Sequence, residues 1–473
     1  MMTLAEAITL LASHGARALA GALNERRFTA VGTDSRAIVP GQLFVALRGE
    51  RFDGHDFVDA ALAAGAAAVL VDQRWDAEHA HSSAVRLVVD DTRLALGTLA
   101  AGWRVRFDIP LIGITGSNGK TTVKEMCASI TRAWAGSDAA VLATQGNFNN
   151  DIGLPLTLLG LRAQHKAAVI EMGMNHPDEI AYLTRLARPT VALVNNAQRA
   201  HLEGMGTLTG VAEEKGQIYA GLGADGVALI NVDDAHAGLW RQLNRGRRLM
   251  SFGLDHPADV RGRCTVHGLG AKLELTTPAG VAHCVLEVPG VHNARNATAA
   301  AAAGLVAGAT LDAVVAGLEA YTGTQGRLQQ RRGPGGSLIL DDTYNANPDS
   351  VRAGVDVLAQ LPVHTFLVLG DMGEVGECGA QLHDEIGAYA RRCGIDGLFA
   401  LGEASAAAAR SFGEGGAHFT AFEALVAALV RQLEGQATVL VKGSRFMRME
   451  RVVDALTALA EAQADVEVCH HVA

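Results

Sequence analysis

Short unbroken apolar runs recur along the chain: Leu111–Thr115, Ala167–Glu171, Thr190–Asn195 and Val227–Asn231. Such runs predict parallel strands covered on both faces by helices. The first run enters a glycine turn and then a helical stretch, Thr121–Ala133, after which strands and helices alternate to about residue 327. The expected architecture is an α/β fold with a central doubly wound, mostly parallel sheet. At Lys272–Thr276 and His283–Val288 the apolar positions alternate instead, which predicts a short antiparallel excursion within that sheet. Upstream, Phe44–Leu47, Ala68–Val71 and Leu87–Val89, with a helix near His55–Ala64, predict a small N-terminal α/β module. Downstream, the Arg- and Gly-rich tract Arg331–Ser337 reads as the approach to a new strand, Leu338–Leu340. Phe366–Leu369, Leu398–Leu401 and Thr438–Val441 then alternate with helical segments, a Rossmann-like βαβ rhythm. The expected division is into residues 1–107, 108–328 and 329–473. The alanine-rich run Thr298–Leu311 is expected to be a buried helix, and the last dozen residues a frayed tail.

Composition narrows the class. At 473 residues the chain is long enough for three domains, and with 49% apolar, 19% charged and 54 glycine residues it has the profile of an α/β enzyme. A formal net charge of -10 argues against broad nucleic-acid binding, so an anionic ligand must be met by local devices. Six cysteines, at 127, 264, 284, 378, 393 and 469, form no CxxC pair, and reduced thiols in the cytoplasm are expected. The apolar stretch Leu4–Leu11 has no preceding lysine or arginine and carries Glu6, unlike a signal peptide. No run has the bulky apolar content of a membrane span.

The strongest chemical signal is Thr115-Gly116-Ser117-Asn118-Gly119-Lys120-Thr121-Thr122, placed between an apolar strand and a helix. Backbone amides and the positive end of a helix there face an anion, Lys120 reaches terminal phosphates, and Thr121 offers a hydroxyl to Mg²⁺. Ile114 stands where the general phosphate-loop pattern has glycine. Glu171 ends its strand at the usual crevice of such sheets, a position for a Mg²⁺ ligand. His201 follows the next strand and is a candidate for a second Mg²⁺, although a lone histidine is more often a loop or core residue. Lys215, in Ala212-Glu213-Glu214-Lys215, reads by itself as part of a solvated charge run on a helix.

Taken in order, these elements resemble the muramyl ligase family. The resemblance is carried by the TGSNGKTT loop, the segment Thr144–Pro155 containing Asn147 and Asn150, the Glu171–His176 strand end and His201–Gly204. It continues through Gly290–Asn293, Gly326-Arg327, Asp341–Pro348, Leu369–Gly373 and Lys442–Arg445, nearly the whole chain. The shortened glycine spacing is the family's own. The asparagine-rich NFNNDIGLP and DDTYNANP segments point to the members that add D-alanyl-D-alanine, and no Asp-Asn-Pro-Arg sequence of a sibling is present. The resemblance implies ATP-dependent joining of D-alanyl-D-alanine to UDP-N-acetylmuramoyl-tripeptide through an acyl phosphate, with one or two Mg²⁺ ions. It further implies catalytic roles for Lys120, Glu171, His201 and Lys215, the last carbamylated so that it joins Thr121, Glu171 and His201 toward metal. Asn293, Arg327 and Asp342 would hold the nucleotide, Ser35 and Arg36 the uridine end, and Asn147, Asn150, Tyr344, Asn345 and Asn347 the peptide substrates. A cytoplasmic monomer is expected. A folylpolyglutamate-type or sibling ligase shares the loop and the chemistry, and a nucleotide-dependent switch with slow hydrolysis is the alternative outside ligases. The third peptide residue, diaminopimelate or lysine, is not legible.

Overall fold

The computed structural model describes residues 1–19, 26–361, 363–433 and 437–471. It is the expected α/β chain, built on three main sheets in succession. In the first, the strands run Arg17–Leu19, Arg86–Val89, Ala68–Asp72, Leu43–Val45 and Val31–Gly32 across the sheet, parallel except for the first pair. These strands are short but every residue of Leu43–Val45 and Arg86–Val89 is buried.

The second sheet has nine strands. From Val141–Ala143 it passes through Ala167–Glu171, Leu111–Thr115, Val191–Val194, Val227–Asn231, Arg248–Gly253 and Val260–His267, all parallel, to the antiparallel Gly270–Thr277 and Gly280–Leu286. The chain leaves Leu111–Thr115 toward one side of the sheet and later returns on its other side. Its carboxyl end therefore opens a crevice at a topological switch point, where such sheets bind ligands. The alternation read in the antiparallel strands reappears as alternating burial along Gly270–Thr277.

The third sheet is ordered Gln329–Arg332, Leu338–Asp342, Ala437–Lys442, His364–Gly370, Gly397–Leu401 and Gly416–Phe419, parallel except for its first strand. Gln329–Arg332 corrects the sequence reading, which took the tract after it as a lead-in to a first strand at Leu338. It is a polar, largely exposed edge strand, so it carries no apolar signature. The alanine-rich run Thr298–Leu311 is the buried end of helix Val291–Val306, which stops before Gly308 (φ +100°); Thr310 caps the next helix, Leu311–Glu319. Helix Glu450–His471 replaces most of the expected frayed tail, of which residues 472 and 473 lie outside the description. No helix among the described residues is long and apolar enough to cross a membrane. The five described cysteines are free, and Cys469 lies among residues whose side chains are not described.

Candidate active site

The loop Gly116–Gly119 leaves the buried strand Leu111–Thr115 and enters helix Lys120–Ala135. Gly119 takes φ +77°, and a Cβ there would lie 2.5 Å from Asn296 Oδ1 and 2.7 Å from Asn195 Nδ2, so the packing excludes any side chain. The loop is bound into a polar network. Asn118 N donates to Asn196 Oδ1 (2.8 Å), Asn118 Nδ2 to Gln198 Oε1 (2.6 Å), and Asn195 Nδ2 to Asn118 O (2.9 Å) and Asn296 Oδ1 (2.9 Å). Ser117 Oγ donates to Gln198 O (3.0 Å) and accepts from Gln198 N (2.9 Å). Lys120 folds back so that Nζ donates to Gly116 O (2.6 Å) and Ser117 O (3.3 Å). Desolvation pulls its ammonium below the ordinary lysine range, against the opposing field of Glu171. Thr121 and Thr122 open the first turn of the helix, Thr122 buried.

Across the crevice the polar groups are less complete. Glu171 is buried; its Oε1 accepts from Asn149 Nδ2 (2.8 Å), while Oε2 is buried without a partner. His201 occupies the left-handed region (φ +59°), and its Nδ1 lies 2.7 Å from a Glu374 carboxylate oxygen without hydrogen-bond geometry. Desolvation lowers the imidazole's proton affinity against the opposing pull of Glu374. Contact with His201 holds the Glu374 carboxyl below its usual range, reinforced by Lys120 and Lys215. Lys215 is fully buried, and its Nζ has no hydrogen-bond partner. Burial drives the Lys215 amine well below the ordinary range, and the positive field of Lys120 adds to this. The expectation of a solvated charge run is thus overturned. Neighbouring Glu214 is also buried and accepts from Asp178 N (3.0 Å) and Ile180 N (3.0 Å) at the start of helix Glu179–Ala187.

Two cavities adjoin the loop. The smaller, about 380 Å³, is walled by Asn118, Gly119, Thr122, Asn293, Arg327 and Asp342 together with His292 and Lys442. Asn293 is fixed there by its bonds to Pro289 O (2.8 Å) and Asn296 Nδ2 (3.1 Å), and Lys442 Nζ donates to Asp342 Oδ2 (2.5 Å). The larger, about 970 Å³, takes wall from all three sheets: Glu50 and Arg93 from the first, Lys120, Glu171 and His201 from the second, Tyr344, Glu374 and Arg445 from the third. Arg327 stacks on Tyr344, its guanidinium carbon 4.1 Å from the ring centre.

The remaining sequence candidates divide. Asn147 and Asn345 are exposed on the larger cavity. Asn150 lines it too, but its Oδ1 accepts from Ile152 N (3.2 Å) and Gly153 N (2.8 Å), capping the next helix. Asn347 likewise caps helix Pro348–Leu358 and donates to Asn118 Oδ1 (2.7 Å), so its side chain is engaged in joining the third sheet's unit to the loop. Ser35 and Arg36 line neither cavity; Arg36 turns outward and pairs with Asp34. Lys215 lies behind the wall and lines neither cavity. Among the described residues no three His, Cys, Asp or Glu side chains gather as a ready-made metal cage. Asn149 and Glu374, which the sequence reading left without roles, stand directly against Glu171 and His201.

Three family models match the chain: Mur ligase family, catalytic domain, over residues 27–104; Mur ligase middle domain over 114–304; and Mur ligase, glutamate ligase domain over 326–445. The UDP-N-acetylmuramoyl-tripeptide--D-alanyl-D-alanine ligase of Escherichia coli is 44% identical over 431 residues, covering 90% of this chain and 93% of its own. The crystal structure of MurF from Acinetobacter baumannii superposes with a TM-score of 0.88 at 35% identity, covering 96% of this chain and 98% of that one. MurF ligase from Thermotoga maritima in complex with ADP gives 0.80 at 26% identity, covering 93% and 99%.

Proposed function

We propose, from the premise that this chain belongs to the Mur ligase family, that it joins D-alanyl-D-alanine to UDP-N-acetylmuramoyl-tripeptide with conversion of ATP to ADP and phosphate. The protein is then an ATP-dependent peptide ligase of peptidoglycan synthesis. The observation that carries this reading is the large cavity walled by all three sheets with the phosphate loop in its side, since the reaction must bring three substrates to one point.

A carboxylate is a poor electrophile, and oxide is a poor leaving group. A terminal carboxylate oxygen of the tripeptide attacks the γ-phosphorus, the bond to the β-phosphate oxygen breaks, and ADP leaves an acyl phosphate behind. The dipeptide amine then attacks the carbonyl carbon, loses its proton, and expels inorganic phosphate from the tetrahedral intermediate. Both steps crowd negative charge. Lys120 and the loop amides offset it, and Lys120 exchanges its bonds to Gly116 O and Ser117 O for phosphate oxygens. The enclosing units hold the reactants in place and keep water from the acyl phosphate.

Magnesium fits this site, because Glu171 aims an unpartnered, buried carboxylate oxygen beside the loop and Mg²⁺ usually takes only one or two carboxylates alongside phosphate oxygens. Glu171 would hold it with Thr121, and His201 and a carbamylated Lys215 a second ion. The bound metal supplies neutralisation of phosphate charge. The smaller cavity suits the nucleoside, with Asn293, Arg327 and Asp342 on its wall. Residues 1–107 would form the uridine unit, with Ser35 and Arg36 among its turns, 108–328 the ATP unit, and 329–473 the unit that presents the dipeptide. We place the enzyme in the cytoplasm as a monomer.

Measuring ADP release with each substrate omitted in turn tests the proposal. A ligase requires both the acyl and the amine substrate for steady turnover; equal ADP release from ATP alone would overturn it. Removing residues 1–107 tests the domain roles: the truncated protein should lose uridine-substrate binding in calorimetry while keeping weak ATP binding.

A further inference from the structure

We infer that Glu374 and Arg445 form the subsite for the incoming dipeptide, Glu374 holding its ammonium and Arg445 its carboxylate. This rests on the ligase reading above and adds to it the residues that recognise the amine substrate. A free dipeptide at neutral pH is a zwitterion whose end charges lie about 7 Å apart when extended. Its subsite therefore needs opposite charges on one rigid support, with the anionic one nearer the phosphates.

Glu374 and Arg445 both line the larger cavity and both come from the third sheet's unit. Their loops follow the strands His364–Gly370 and Ala437–Lys442, which are hydrogen-bonded neighbours. The two loops are also bonded to each other: Gly373 N donates to Ser444 Oγ (2.7 Å), and Ser444 N donates to Asp371 O (3.0 Å). Glu374 and Arg445 are each the next residue along from that Gly373–Ser444 contact, so one fixed scaffold carries both charges. Glu374 is held at φ +58°, a conformation non-glycine residues seldom adopt, and its carboxylate is turned toward His201 beside the phosphate loop. Arg445 projects with two-thirds of its side chain exposed and a single, half-buried partner, Glu450.

Most other charged groups on this cavity are engaged or belong to another unit; the exposed Asp178 lies with Glu179 on the second sheet's unit. Arg93 is paired with Asp151, Glu179 accepts from the Asn175 and His176 amides, and Arg327 stacks on Tyr344. Glu171 belongs to the metal side, and Glu50 lies on the first sheet's unit, away from the amine's source.

The test is a cycle of variants against substrate analogues on the full-length protein. Glu374→Gln and Arg445→Gln should each raise the KM for D-alanyl-D-alanine roughly 10- to 100-fold, as expected for losing a charge-assisted contact, while the KM for ATP stays within twofold. The dipeptide amide, which lacks the carboxylate, should be penalised in the unaltered enzyme and carry no further penalty in Arg445→Gln. N-acetyl-D-alanyl-D-alanine, which lacks the ammonium, should inhibit Glu374→Gln as well as it inhibits the unaltered enzyme. A dipeptide KM within twofold of normal in both variants, penalties that multiply rather than merge, or an equal rise in the KM for ATP would overturn the subsite. If the unaltered protein forms no ligated product, the ligase reading itself falls, before any variant is made.

Discussion

On the loop side of the cleft the polar side chains answer one another: Asn118 meets Asn195, Asn196, Gln198 and Asn347, and Lys120 turns back onto the loop's own carbonyls. On the facing side Glu171 Oε2 and His201 Nδ1, and behind that wall Lys215 Nζ, are all buried without a hydrogen-bond partner. The first wall is held in shape by the protein itself, because the Asn118 and Asn195 side-chain amides and the Lys120 ammonium all have acceptors within it, which leaves the backbone amides at the start of the helix for an anion. The second holds a carboxylate oxygen and an amine in positions where burial costs free energy that the fold does not return, beside an imidazole answered only by the Glu374 carboxylate. Such groups persist where a ligand completes them, and this is the physical sense in which that wall is the reactive one.

The largest expected effect comes from the only cation the loop directs at phosphate. Lys120→Ala should lower kcat by about 10²–10³-fold with an unchanged unfolding midpoint, and a purified variant keeping more than about a tenth of normal turnover would sink the assignment.

Lys215 then separates the two walls, since it should matter for turnover while opposing stability. In bicarbonate-free buffer Lys215→Met should be inactive yet more stable to denaturant by about 1–3 kcal/mol, having exchanged an unpartnered buried amine for an apolar chain of similar length. The folded protein holds this amine below its unfolded proton affinity, so between those two limits the unfolded chain binds more protons and wild-type stability rises with pH. The gain in Lys215→Met should therefore shrink as pH climbs toward the ordinary lysine range; a constant difference would refute the buried-amine account. In Lys215→Ala, partial recovery of turnover with millimolar acetate or formate is expected if a carbamate normally fills that space.

The smallest effect should fall on the satisfied wall. Asn347→Ala removes a helix cap and the bond to Asn118 together, which should cost about 0.5–2 kcal/mol in denaturant unfolding and raise the KM for ATP a few-fold. A loss of turnover as large as that of Lys120→Ala would show that the loop network is itself catalytic and erase the contrast between the walls.

How much of this could be read along the chain depends on how local each feature is. The strand runs were legible because burial on both faces leaves an unbroken apolar string, whereas the edge strand Gln329–Arg332, paired on one side and mostly exposed, left none. The expected run Thr298–Leu311 overshot its helix by a few residues because alanine continues past its end, although Gly308 and the capping Thr310 mark the turn. Glu171 and His201 were found by position, at strand ends that meet one crevice. Lys215 would have been dismissed from its neighbours alone: Glu213-Glu214-Lys215 looks solvated, yet Glu214 is spent on the amides of a helix far away in sequence and Lys215 on the interior.

By itself, then, the sequence determined the phosphate loop, the α/β class and the family resemblance, all of which live in contiguous residues whose conformation follows from nearby chemistry. Tertiary structure alone decided that the Lys215 amine is buried and unpaired, that Asn347 serves the loop, and that Glu374 comes to His201 from a different sheet. The reason is physical: burial and charge pairing depend on which surfaces the folded chain brings together, and residues nearly two hundred positions apart can be neighbours in the fold without leaving a mark on the sequence around either one.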